Sequence, residues 1–402
     1  MAALVAFRVG LALAVLAASG HALVPGFPVY RYDPLSGDAY AYYFALRELL
    51  ATWQREAVVV LPVAALAAAA VIVAVRRRVV PPALVTVGAC AAGAVAAVVV
   101  LLMRSTGAPT VGWSLVLSVP FLPYRVVGLP LDPDVVYAAG TFLSLAFVAV
   151  ILVATYILGT AATGSRRIGI AAAVLFAAWP VIALVVGGDR GAGNGTWQGE
   201  LGISLTVEPL STALVLSALV LVVRRRIRHV DAALAGALLG LSVVVRLSNV
   251  LIGACVFVAL AVRDRRAAAW FVPAATALAL IAAAYWPRGY ASLEPPTFPE
   301  HPFALDYAGR AWTDSLLWRP AMLLLLLPMA IVGTRRVAPR TAALLWSCVL
   351  ATAAFFSVYE ESPDHPRFLF VVLPIVLVLW AAGAAELVAA VSARRATTIG
   401  AR

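Results

Sequence analysis

The chain has 402 residues, 63% apolar and only 12% charged, with a formal net charge of +11. A soluble domain is roughly half apolar and a quarter charged, so a water-soluble globular protein is excluded, as is an open sheet in lipid. The positive charge would suggest nucleic acid in a soluble protein, but here it lies in short clusters between apolar runs and no nucleic-acid partner is expected.

Apolar runs long enough to cross a bilayer as helices, which takes about 20 residues each, are expected over 4–24, 56–75, 83–103, 137–158, 168–186, 206–223, 231–245, 247–262, 268–285, 318–334, 341–357 and 368–388. The fold class is therefore all-α and polytopic, with about 12 transmembrane helices in one membrane domain over 1–402. The first run is read as a retained span, with Arg8 in its basic flank. The two runs on either side of Arg246 are short and form a hairpin that crosses either fully or in part.

Orientation follows from arginine, since the chain has no lysine. With both termini in the cytoplasm of a multi-pass cell-membrane protein, the clusters at 76–78, 166–167, 224–228, 263–266, 335–340 and 394–395 all fall inside. That side then holds 19 of the 30 arginines and 3 of the 19 acidic residues, as the positive-inside rule requires. The longer, chemically varied connections fall outside, over 25–55, 104–136, 187–205, 286–317 and 358–367. Arg246 is the notable ionisable group within the spans, so chemistry is expected at the outer surface rather than along a transport path.

In the first outer connection, residues 36–50 form a short amphipathic helix opened by Ser36 and Asp38. At about 100° per residue, Tyr42, Leu46, Leu49, Leu50 and Trp53 share the apolar face, and Arg47 and Glu48 point elsewhere. Asp38 sits at the edge of that face, where a carboxylate either caps the helix or serves as a partly desolvated general base. The segment 108–121 is apolar but broken by proline and is expected to lie along the membrane. Asp132 and Asp134 cap the next span. The Gly-rich run 187–195 lacks the lysine and setting of a phosphate loop and is read as a flexible loop.

Val245-Arg246-Leu247-Ser248-Asn249 puts a lone charge between membrane helices, which must find an anionic partner. Near the C-terminus, Glu360, Glu361, Asp364, His365 and Arg367 stand just before the last span. Arg367 either snorkels to lipid headgroups or pairs with a phosphate, which its fork geometry suits. The acids beside it favour a composed site. Cys90, Cys255 and Cys348 lie within apolar runs, the four histidines are scattered, and neither a metal nor a cofactor is expected.

Four segments, taken in order, give the chain a family likeness. Gly37-Asp38-Ala39-Tyr40, Gly112-Trp113-Ser114-Leu115-Val116 with Pro120, Arg246 with Asn249, and His365-Pro366-Arg367-Phe368-Leu369 with Pro374 together resemble the motifs of GT-C glycosyltransferases, most nearly the protein-mannosyltransferase-like group of family 39. The resemblance implies a membrane enzyme that moves a sugar from a polyprenyl-phosphate donor to a lipid, glycan or protein acceptor on the non-cytoplasmic face, with inversion. It makes Asp38 the general base and Arg246, His365 and Arg367 the candidates for the donor phosphate. Tyr40, Asn249, Glu360 and Glu361 complete the substrate-binding set. The Asp-Glu pair of true protein mannosyltransferases and the Trp-Trp-Asp of oligosaccharyltransferases are absent. The alternatives are a transporter or flippase of a lipid-linked saccharide, or a non-catalytic membrane protein.

Overall fold

The computed structural model describes residues 1–18, 46–47, 112–127, 132–192, 207–224, 226–291, 305, 320–359 and 369–400. Among these, eleven α-helices form the molecule: α1 (Ala2–Ala18), α2 (Gly112–Val127), α3 (Pro133–Thr163), α4 (Arg166–Ala192), α5 (Glu208–Val223), α6 (His229–Val245), α7 (Val250–Arg263), α8 (Arg265–Ala291), α9 (Pro320–Gly333), α10 (Pro339–Val358) and α11 (Leu373–Gly400). Short 3-10 turns at Leu247–Asn249, Thr334–Arg336 and Leu369–Val371 join or precede them. Among the described residues, three helices are long and apolar enough to cross a membrane, over Val135–Thr163, Pro339–Val358 and Leu373–Ala393. The helices α5, α6 and α7 are apolar but shorter.

Ten of the twelve expected runs lie wholly or mostly on described residues, and the described part of each coincides with a helix. The runs at 56–75 and 83–103 lie outside them. Several helices exceed their apolar runs. The helix α4 continues to Ala192, so the Gly187–Ala192 part of the Gly-rich run is helical rather than loop. The helix α2 is unbroken through Pro120 and Pro123, contrary to the expected break. Asp132 stands immediately before Pro133 at the start of α3, and its carbonyl accepts the Val136 N–H, in keeping with a capping position.

Chain reversals give the bundle two distinct ends. Arg224 at the close of α5 and Arg228 just before α6 both reach Asp231 in the first turn of α6. Arg263, closing α7, donates to the carbonyls of Val222 and Arg224, covering the otherwise unsatisfied end of α5. Asp264 caps α8 by accepting the Arg266 and Ala267 N–H groups. Arg336 pairs with Glu386 between α9 and α11. The described arginine clusters thus converge on one end, hereafter the basic end. At the opposite end lie the start of α5, the close of α6, the start of α7 and the close of α10.

Packing follows the rule for helices without a strong hydrophobic drive, in which small residues let backbones approach. A Cβ on Gly383 would collide with the Met329 carbonyl, and one on Gly333 with that of Leu379, so α9 and α11 are in backbone contact. A large apolar core joins α3, α4, α5, α7, α10 and α11.

One arginine departs from its expected position. Arg8 does not lie in a basic flank. It is within α1, fully buried, with its guanidinium 5.7 Å from the Phe176 ring and Nη1 donating to the Ala177 carbonyl at 3.4 Å. Pro180, three residues on in α4, has no N–H to offer the neighbouring Phe176 carbonyl. Ala177 lies about 16 Å along α4 from Arg166, well inside the bundle.

Candidate functional site

The Arg246 hairpin runs the whole length of α5. Asp231 at its start meets the close of α5, and Arg246 at its corner meets Glu208 in the first turn of α5. The helix α6 thus runs alongside α5 from one end to the other, roughly 25 Å of rise.

The corner is built by its polar residues. The helix α6 ends at Val245, and Arg246 turns to an extended conformation with φ −151° and ψ 111°. Its N–H still donates to the Ser242 carbonyl at 2.8 Å, and its own carbonyl accepts the Asn249 N–H at 3.1 Å. The Asn249 side chain then fixes the corner to two helices. Its Nδ2 donates to Ser211 Oγ on α5 at 2.7 Å and to the Ser242 carbonyl of α6 at 3.1 Å. Asn249 is 1% exposed, so it positions the corner from inside the bundle.

That corner aims the guanidinium at a carboxylate. Arg246 Nη1 lies 3.4 Å from Glu208 Oε1, with Glu208 2% exposed and Arg246 8% exposed. The guanidinium also sits 5.1 Å from the centroid of the Phe356 ring of α10, a cation–π arrangement. Glu208 opens α5 with Pro209 beside it, an arrangement that suits both the helix dipole and the missing proline N–H. Ser211 and Thr212 follow at the i+3 and i+4 positions and share its face of the helix. Thr212 is fully buried, and its hydroxyl has no hydrogen-bond partner among the described residues.

An apolar collar adjoins the pair. Leu46, Trp113, Val136, Val207, Leu210 and Val245 belong to one buried cluster. Val207 and Val245 immediately precede Glu208 and Arg246 in the chain, so the collar adjoins both members of the ion pair. Leu46 is fully buried and Arg47 exposed, the division expected from the amphipathic pattern of 36–50. Gly112 at the start of α2 is required by close approach, since a Cβ there would lie 2.7 Å from the backbone of Val245. Trp113 meets Phe147 of α3 edge-on, with centroids 6.2 Å apart. At the close of α10, Tyr359 stacks on Phe355 and meets Phe356 edge-on. In the Leu369–Val371 turn, Phe370 packs on Phe176 with ring centroids 5.8 Å apart.

Of the expected site residues, Arg246 and Asn249 come together, joined through the same corner. Asp38, Tyr40, Glu360, Glu361, His365 and Arg367 lie outside the described residues. No family model matches the chain, and no curated protein is significantly similar to it. Among the described residues, no three His, Cys, Asp or Glu side chains gather as a metal site would need.

Sequence reasoning missed Glu208. The sequence carries part of the signal, an acid opening an apolar run and followed at once by proline; its place beside Arg246 comes from the fold. What the site can do is set by charge. A guanidinium held over an aromatic ring, in a low-dielectric setting, binds phosphate or carboxylate more strongly than it would in water. Arginine's planar fork also matches the oxygens of a phosphate ester.

Proposed function

We propose that this chain is a GT-C-type membrane glycosyltransferase of about twelve spans, with both termini cytoplasmic and its site on the opposite face. It moves one sugar from a polyprenyl-phosphate donor to a lipid, glycan or protein acceptor. The observation that carries this reading is the shared collar. Leu46 of the Asp38-bearing stretch, Trp113 of the Gly112 segment, and the neighbours of Glu208 and Arg246 all pack together. Two of the four segments that resemble the family, together with Leu46 eight residues after Asp38, thus contribute to one end of the bundle. The fourth lies in the chain between Tyr359, which packs on Phe356 beside Arg246, and the Leu369–Val371 turn.

In this reading Asp38 takes the acceptor's proton as its oxygen attacks the anomeric carbon. The bond from that carbon to the phosphate oxygen breaks, the configuration inverts, and a polyprenyl phosphate leaves. Arg246, Arg367 and His365 bind the phosphate and stabilise the negative charge that grows on it as it departs, the interaction that supplies most of the rate. Tyr40, Glu360 and Glu361 contact the sugars, and Asn249 holds the corner on which Arg246 stands.

A second reading, a flippase for the same lipid-linked saccharide, is favoured by Arg8. A guanidinium deep between α1 and α4 is the kind of charge a transport path uses. The two readings separate in one assay. Membranes containing the chain are given a panel of radiolabelled polyprenyl-phosphate sugars and an acceptor fraction. Label appears in the acceptor under the transferase reading, and Asp38→Asn lowers it at least about hundredfold. Absence of transfer with every donor would refute the enzyme, whereas label that only changes leaflet supports the flippase.

A further inference from the structure

The Glu208–Arg246 pair is oddly built for a purely structural contact. Its approach of 3.4 Å is long beside the 2.7–2.9 Å typical of a tight charge-assisted bond. Both side chains are buried, and packing alone would be served as well by an apolar pair of similar volume. The carboxylate occupies the first turn of a 16-residue helix, where the dipole favours an anion, and faces a guanidinium backed by an aromatic ring. One turn on, along the same face, the fully buried Thr212 hydroxyl has no partner among the described residues. The carboxylate therefore stands where a bound anion would stand, with a spare hydrogen-bonding group beside it.

We propose that Glu208 is an internal counter-ion for Arg246 that a ligand's phosphate replaces. This rests on the reading that Arg246 receives a phosphate ester. In the empty site Glu208 keeps the buried guanidinium paired, so the corner stays folded without a ligand. When a prenyl phosphate enters, its phosphate takes the guanidinium and Glu208 withdraws. Glu208 thus weakens phosphate binding while it stabilises the empty protein. After bond cleavage the returning carboxylate competes with the departing phosphate monoester, which speeds its release.

The account gives the Glu208→Gln variant an unusual signature: less stable when empty, yet a tighter binder. The full-length protein in detergent micelles is titrated with a short-chain prenyl phosphate, with inorganic phosphate and the matching prenyl alcohol as parallel probes. Wild type is expected to bind the prenyl phosphate and not the alcohol, and Glu208→Gln to bind it about tenfold more tightly, a gain of about 1.4 kcal/mol. Inorganic phosphate competes with the prenyl phosphate if the headgroup alone suffices, and fails to compete if the chain is also required. Arg246→Gln abolishes binding. The melting temperature of Glu208→Gln is lower than wild type without the probe and rises more on adding it. Unchanged or weaker binding by Glu208→Gln in a protein that still melts cooperatively would overturn the proposal, as would binding indifferent to Arg246 or absent from every form. Should Glu208→Gln not fold, Glu208→Asp draws the carboxylate back by one methylene and is expected to bind several-fold more tightly than wild type. Equal or weaker binding by it overturns the proposal equally. Tighter binding by Glu208→Gln, with no sugar transfer by wild type from any donor, would leave the counter-ion standing and refute the transferase.

Discussion

The two ends of the bundle handle charge in opposite ways. At the basic end, arginines in contact with water answer helix termini and acids: Arg263 covers the carbonyls closing α5, Arg224 and Arg228 reach the buried Asp231 from side chains 46% and 74% exposed, and Arg336 and Glu386 pair with each side chain 36% exposed. At the other end a carboxylate and a guanidinium face each other in the interior, framed by Phe356, Asn249 and the collar. Exposed pairs contribute little because water competes for each partner. A buried pair is costly to break because the survivor is left charged in a low dielectric. The contrast separates an end whose charges finish the fold from one whose charges need a further reason.

Substitutions sharpen that contrast, read as the stability of the purified protein in detergent. Removing one partner of the interior pair, by Arg246→Ala or Glu208→Ala, is expected to cost about 3–5 kcal/mol. The paired replacement Glu208→Leu with Arg246→Met recovers most of that loss, and a double-mutant cycle reports the coupling. Gly112→Val forces a side chain against the backbone of Val245 and is expected to cost about 1–3 kcal/mol. Asn249→Ala strips Ser211 and the Ser242 carbonyl of their shared donor, at a cost of about 1–3 kcal/mol. Both of these shift the Arg246 corner, so thermal melts with and without a prenyl phosphate should lose part of the ligand response. The smallest effect belongs to the basic end, where Arg336→Gln is expected to cost under about 1 kcal/mol, with a difference that disappears in high salt.

Helices were legible in the sequence because apolar length alone specifies them, and the ten runs that can be compared all coincide with helices. Their ends were less so. The helix α4 ran on to Ala192 through glycines that pattern reasoning assigns to loops, since a helix already nucleated and packed tolerates them at about 1 kcal/mol apiece. Proline misled in the same way in α2, where the helix continued past Pro120 and Pro123. Arg246 was conspicuous because apolar residues flank it on both sides. Arg8 was indistinguishable from an ordinary basic flank until α1 was seen to turn it onto the Phe176 ring and the Ala177 carbonyl. Glu208 shows the limit most clearly. Its partner lies 38 residues away, and only the antiparallel run of α5 and α6 brings the two ends together. The division of Leu46 and Arg47 between buried and exposed followed from periodicity, yet periodicity did not say that Leu46 would share a cluster with Val207 and Val245.

The central claim is that the Asp38 stretch and the Arg246 corner serve one reaction. Transfer from a labelled polyprenyl-phosphate sugar, measured for wild type, Asp38→Asn, Arg246→Lys and the double variant, tests it most directly. Residues acting in one transition state are strongly non-additive. The account predicts that each single change lowers transfer at least about hundredfold and that the double variant is scarcely slower than the worse single one. Full activity in Asp38→Asn, or losses that simply multiply in the double variant, would contradict it.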